Sequence, residues 1–375
     1  MSDNSLKQII NSLNIPESLK SIALKVTAGE RISPEEGLSL YETADLGLLG
    51  MLANAVREKI NGNDAYFNKN FHIEPTNICI YRCRFCSYSR KFNEDGAWES
   101  SLDEITAIAE SYKGKDVTEI HIVGGVHPQR DLAYYAEMVQ RVRQVLPDIH
   151  IKAFSAVEIE YMFKKSGVTM EQGFETLRKA GLNSIPGGGA EIFDETLRSQ
   201  ICPDKVNSEG WLNIHRAAHE QGIQSNATML YGHVETYAHR IDHLNRLRQL
   251  QDQTQGFNCF IPLKYRKANN PMSEIGEVTL IEDLKNYAVS RIFLDNFPHI
   301  KGYWPMIGKE MAQLALSFGV DDIDGTIDDT TRIYSMAGVE DQKPSLTTDE
   351  LVTLIRQAKR QPVERDSWYK KVKVY

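Results

Sequence analysis

The rhythm of apolar and polar positions changes near Phe71. Before it, Leu6, Ile9, Ile10 and Leu13 recur at helical spacing, and Ser33-Pro34-Glu35-Glu36 reads as a helix start with Pro at the first helical position. From Phe71 onward, short apolar runs alternate with amphipathic stretches, the signature of repeated βα units around a parallel sheet. Eight runs read as strands: around His72-Ile73-Glu74, Glu119 to Val123, His150 to Ser155, Ser184 to Pro186, Ser225 to Tyr231, Asn258 to Tyr265, His299 to Trp304 and Asp322 to Thr326. Segments such as Leu102 to Tyr112, Tyr134 to Leu146, Glu171 to Ala180, Gly210 to Gln221 and Leu280 to Phe293 read as the intervening helices, and Gly181 and Gly222 end the third and fourth of these. The expected fold is α/β, a (βα)8 TIM-type barrel over residues 66–335. An N-terminal helical layer over 1–65 precedes it, and a C-terminal helical extension over 336–375 follows, with a helix from Thr347 to Lys359 and a basic-aromatic tail.

Composition narrows the class. With 41% hydrophobic and 25% charged residues, a chain of 375 residues can bury a large core without disulfides or metal staples. A net charge of -8 with scattered basic residues argues against nucleic acid as a partner. No stretch approaches the roughly 18 apolar residues of a membrane span, and MSDNSLKQIINSL lacks a signal-peptide pattern, so a cytoplasmic protein without membrane insertion is expected. Five cysteines are too few and too uneven for a disulfide framework, and three of them crowd into CIYRCRFC.

Those three, Cys79, Cys83 and Cys86, follow the first predicted strand, where barrel enzymes place catalytic groups. Thiolates suit iron-sulfur clusters or zinc. Three thiolates hold three irons of a 4Fe–4S cube and leave the fourth iron open. Structural zinc wants four closed ligands, and Cys202 and Cys259 stand apart, which leaves His72 as a fourth ligand for that alternative. The pair Gly124-Gly125 ends the second strand, where glycine lets backbone approach a ligand closely. Pro186-Gly187-Gly188-Gly189-Ala190-Glu191 ends the fourth, without the Lys-Ser or Lys-Thr of a triphosphate loop. His121 reads as a core histidine. His215 and His219 share a helix face, but no carboxylate base sits between them.

The C-x3-C-x2-C motif with Phe85 before its last cysteine resembles the signature of the radical S-adenosylmethionine (SAM) superfamily. HIEPTNICIYRCRFC, GGVHP, IKAFSAVEI, IPGGGAEIF, SNATMLYGH and LQDQTQGFNCFIPLKY extend the resemblance across most of residues 70–330, to the branch serving the menaquinone (futalosine) and deazaflavin pathways. The resemblance implies a 4Fe–4S cluster on Cys79, Cys83 and Cys86 whose open iron is chelated by SAM. It implies SAM contacts from Phe85, Gly124, Gly125, His127, Ser155, Glu158 and Glu191, with His127 standing where relatives carry Asn and with no Gly-Gly-Glu. A low-potential electron donor, flavodoxin or ferredoxin, is implied as partner. The implied reaction adds the 5'-deoxyadenosyl radical to the enol-ether double bond of 3-[(1-carboxyvinyl)oxy]benzoate. It gives 6-amino-6-deoxyfutalosine, methionine and carbon dioxide or bicarbonate; relatives that begin with hydrogen abstraction are the alternative. A small substrate with two carboxylates calls for polar or cationic groups, for which Asn226, Thr228, His233, Arg240 and Lys264 are the candidates.

Overall fold

The computed structural model describes residues 3–326, 332–339 and 345–375. Its centre is a curled sheet of eleven strands: β1 (Asp64–Phe67), β2 (Asn70–Ile73), β3 (Glu119–Ile122), β4 (His150–Ala153), β5 (Ser184–Ile185), β6 (Gln224–Tyr231), β7 (Phe257–Lys264), β8 (His299–Gly302), β9 (Asp322–Ile323), β10 (Gln361–Arg365) and β11 (Lys371–Val374). The spatial order is β11-β10-β1-β9-β8-β7-β6-β5-β4-β3-β2, parallel throughout except for the β10–β11 pair. The eight predicted strands correspond to β2 through β9, with helices between them, in an α/β fold of TIM type.

Three features differ from the expectation. The third predicted strand stops at Ala153, because Phe154 takes φ +63 and turns the chain into the helix Ala156–Ser166. An extra strand, β1, runs directly into β2; β1 pairs with β9 and β10 while β2 pairs with β3, so one bent segment serves both ends of the curl. Instead of a complete ladder, Thr326 helps join the seam, its N–H donating to the Asn68 carbonyl and its hydroxyl to the Asn70 carbonyl, both at 3.3 Å. Finally, the C-terminal segment is not helix and tail alone, since the tail supplies β10 and β11. Gln-Pro-Val-Glu-Arg shows no apolar alternation because its buried positions include charged residues: Glu364 lies 3.2 Å from Lys69, and Arg365 lies 2.6 Å from Asp322.

The N-terminal helices Asp3–Ser12, Glu17–Ala28, Pro34–Thr43 and Leu46–Asn61 pack on the outside of the sheet. Ser33 caps the third through a capping box with Glu36, as the Ser-Pro-Glu-Glu pattern anticipates. Leu40, Tyr41, Leu49 and Leu52 are fully buried against the barrel helices. Among the described residues, no helix is long and apolar enough to cross a membrane.

At the base of the barrel, Asp322 receives Arg365 and the Tyr369 hydroxyl, and the Tyr369 ring stacks on His299 with centroids 3.6 Å apart. Breaking a buried ion pair from one side strands the other charge. Replacing Arg365 by Leu is expected to cost about 3–5 kcal/mol in urea unfolding, with partial recovery in Arg365→Lys; an unchanged midpoint would show that the C-terminal strands are dispensable to the barrel.

Candidate active site

The loop after β2 carries the three cysteines and is fastened mainly by backbone. Cys79 N–H donates to Arg90 O at 2.8 Å, Ile80 N–H to Val126 O at 3.0 Å and Arg84 N–H to Ile201 O at 2.8 Å. Asn77 staples the loop from within, donating to Gly96 O at 2.9 Å and accepting from Trp98 N–H at 2.8 Å. The three sulfur-bearing side chains face one cavity of about 390 Å³. Burial pushes the Cys83 thiol up to about 12, opposed by the nearby Lys205 ammonium. At Cys79 the backbone N–H groups of Val126 and Tyr81 point at the sulfur, the kind of contact that stabilises a thiolate and tunes a cluster.

The glycine pair explains the loop's position. A Cβ on Gly125 would stand 2.2 Å from Ile78 O, and one on Gly124 would stand 2.7 Å from Thr76 O. Only glycine lets the end of β3 lie against the cysteine loop this closely. Next to them, Glu158 sits not at a strand end but as third residue of the helix Ala156–Ser166, in a capping box with Ser155. Its carboxylate accepts from Ser155 N–H and Oγ at 2.7 Å each, and from Gly124 N–H at 3.2 Å. Burial outweighs these donors and raises its pKa to about 7. Across the cavity Glu191, at φ +49, accepts from Lys205 Nζ at 2.6 Å, and that ammonium lies 5.2 Å from the Phe85 ring centroid.

Of the residues singled out from sequence, Cys79, Cys83, Phe85, Cys86, Gly124, Gly125, Ser155, Glu158, Glu191, Asn226, Thr228 and Lys264 line this cavity. His127, His233 and Arg240 are not brought into it. At Gly124-Gly125-Val126-His127 it is Val126 that faces the cavity, while His127 packs by Phe92 and Glu99, its Nδ1 accepting from Gln129 N–H. His233 turns back to Leu230 O at 3.1 Å, and Arg240 is held by Glu235 and Glu282 at 2.7 and 2.6 Å. Lys264 borders the cavity but donates to Asp283 and Val278 O. His215 and His219 share the Ser225 hydroxyl, a structural role.

Sequence reasoning missed Lys205, Lys152 and Lys301, and it placed His121 in the core. All four line the cavity. For the three on strands the signal was available as period-two alternation, which puts His121, Lys152 and Lys301 on inward positions. Lys205 lies in the loop before the helix Ser208–Glu220 and carried no such signal.

A curled parallel α/β sheet with three thiolates at its mouth defines an enzyme built around an iron-sulfur cluster with one open corner. Residues 73–247 match the radical SAM superfamily, and residues 254–374 match the CofH/MqnC C-terminal region. The chain is 46% identical to aminodeoxyfutalosine synthase of Thermus thermophilus, over 94% of this chain and 96% of that protein. It is 41% identical to aminodeoxyfutalosine synthase of Streptomyces coelicolor, over 95% and 94%. The crystal structure of methylornithine synthase, 18% identical, covers 90% of this chain and 95% of its own with a TM-score of 0.70, a likeness of fold. The chain belongs to the radical SAM superfamily, with a C-terminal region of the CofH/MqnC type. As a member it uses a 4Fe–4S cluster and SAM, and it acts on a small molecule.

Two outcomes follow from this geometry. Anaerobically reconstituted protein is expected to hold about four irons with labile sulfide and to absorb near about 400 nm. Alanine at Cys79, Cys83 or Cys86 removes that chromophore, whereas Cys202→Ala and Cys259→Ala keep it. For Glu158, a folded-state pKa raised above the ordinary carboxylate value favours folding below the ordinary value, and this contribution is lost as pH rises through about 7. The stability advantage of Glu158→Gln over wild type should therefore grow by about 1–3 kcal/mol between about pH 5 and about pH 8 in urea titrations. A pH-independent difference would contradict the burial of that carboxyl.

Proposed function

We propose that this protein catalyses the reaction of an aminodeoxyfutalosine synthase: SAM and 3-[(1-carboxyvinyl)oxy]benzoate give 6-amino-6-deoxyfutalosine, methionine and carbon dioxide or bicarbonate, in menaquinone biosynthesis. The observation that carries this reading is the similarity to two proteins of that name over nearly the whole chain, barrel and C-terminal strands together. When bound, the cluster supplies the electron that cleaves SAM to methionine and a 5'-deoxyadenosyl radical. The chain's own task is to position and to enclose. A primary carbon radical takes hydrogen from almost any nearby C–H, so the double bond must be held in reach before the radical forms. Gly124, Gly125, Ser155, Glu158, Glu191 and Phe85 are assigned to SAM, with Glu158 as an acceptor for its ammonium. Thr228 donates to Gly187 O at 2.6 Å and thereby ties β6 to the glycine-rich turn. Asn226 presents its amide to the substrate. Leu230, Ile261, Leu263 and Met306 give the cavity an apolar wall that excludes water from the radical.

The electron is assigned to a flavodoxin or ferredoxin, and the protein to the cytoplasm, a reducing compartment that keeps the cluster cysteines available. The decisive experiment incubates reconstituted protein with SAM, dithionite and the enolpyruvyl benzoate. Formation of the adenosyl-benzoate product with stoichiometric methionine is expected. Free 5'-deoxyadenosine without adduct would sink the proposal, and deuterium transfer from a labelled futalosine derivative into 5'-deoxyadenosine would point to the hydrogen-abstracting reaction instead.

A further inference from the structure

The deeper part of the cavity is built from strand residues rather than loops: His72 on β2, His121 on β3, Lys152 on β4 and Lys301 on β8. Ladder register sets three of them in a row, His72 beside His121 and His121 beside Lys152. The two imidazoles meet edge to face with centroids 4.9 Å apart. Lys152 donates to Glu119 at 2.7 Å and Lys301 to Asp324 at 2.8 Å; Lys301 also lies 3.9 Å from Asp322, whose carboxylate is held by Arg365. These pairs offset the burial of two ammonium groups. An ammonium has three N–H groups, so one short hydrogen bond to an acid on each lysine leaves donors to spare. His121 Nε2 is buried with no hydrogen-bond partner among the described residues, a condition native interiors seldom leave without a reason.

Leu230, Ile261 and Leu263 on β6 and β7 give the same cavity an apolar wall. A cavity that combines an apolar wall with a row of donors suits a flat ring that carries an anionic group on its edge.

We propose that His121, Lys152 and Lys301 form a subsite for an aryl carboxylate, the ring carboxylate of the benzoate substrate, at the end of the cavity away from the thiolates. This rests on the reaction proposed above. In that reaction the double bond must lie by the cysteine loop, and the meta carboxylate is then carried down among the strands. The carboxylate offers about four lone-pair positions, which two ammonium groups and one imidazole can meet. Burial, together with His72 and Lys152, keeps the His121 imidazole neutral in the absence of an anion. Glu119 and Asp324 line the same cavity and balance the two lysines.

The test measures binding by calorimetry with SAM present and no reductant, so that no turnover occurs. Two ligands are compared: the enolpyruvyl benzoate and its analogue with the ring carboxylate replaced by a carboxamide. Wild type is expected to favour the carboxylate by about 10- to 100-fold. His121→Phe, and the double variant Glu119→Leu with Lys152→Met, which removes both members of a pair, should lose most of that preference. Both should bind the carboxamide and SAM as wild type does. Equal losses for both ligands, or an intact preference in both variants, would overturn the subsite. Adduct formation by a wild type that shows no such preference defeats the subsite alone; the preference without adduct defeats the reaction alone. A wild type that binds neither ligand defeats both.

Discussion

Everything at the mouth of this barrel depends on one backbone-to-backbone contact. The cysteine loop and the end of β3 are bound to each other by Gly125 N–H to Thr76 O at 2.8 Å and by Ile80 N–H to Val126 O at 3.0 Å, with Gly124 and Gly125 letting the two chains meet. The same contact aims the Val126 N–H at the Cys79 sulfur and leaves the Gly124 N–H for Glu158. Thiolates, glycine amides and the buried carboxyl are thus placed by a single junction. A side chain at either glycine would displace all three together.

Below that junction the barrel interior is charged, which is unusual for a packed core and costly unless every charge is met. Here acids and bases alternate around the strands, Glu119 with Lys152, Asp324 with Lys301 and Asp322 with Arg365. The last pair uses a strand from the far C-terminus, so the tail that closes the base of the sheet also completes the charge balance of the interior. Structure and chemistry share residues there.

Much of this was legible in the chain. The βα alternation gave the order of β2 through β9, Ser33-Pro34 marked a helix start, and the cysteine spacing pointed to an open cluster on a loop after a strand. What was hidden has physical causes. β10 escaped because Glu364 and Arg365 are buried by pairing rather than by hydrophobicity, so no apolar rhythm announces the strand. The third strand was read two residues too long, to Ser155, because Ile151 to Val157 is rich in apolar residues, and the break is a φ +63 at Phe154 that no propensity favours. His127, His233 and Arg240 were singled out as polar residues near strand ends, and none of the three lines the cavity. Lys152, His121 and Lys301 carry the opposite lesson: parity along a strand is a better guide to a barrel interior than proximity to its loops.

Two of the described non-glycine residues with positive φ stand beside the cavity's carboxyls. Phe154 and Glu191 both hold left-handed backbone at the ends of adjacent βα connections, and bulky or charged residues rarely take that conformation without being forced. Phe154 is locked by its N–H to Ile122 O at 2.9 Å and by an edge contact with Tyr135; Glu191 is locked by Lys205 and by its carbonyl, which accepts from Leu230 N–H at 2.8 Å. Each sharp turn brings a carboxyl to the cavity, Glu158 four residues after the first and Glu191 at the second. A radical reaction tolerates little slack between the group that generates the radical and the bond that receives it. Each of these turns is held by packing and hydrogen bonds on both sides, so the two carboxyls are fixed relative to the cysteine loop by the backbone itself rather than by side-chain rotamers.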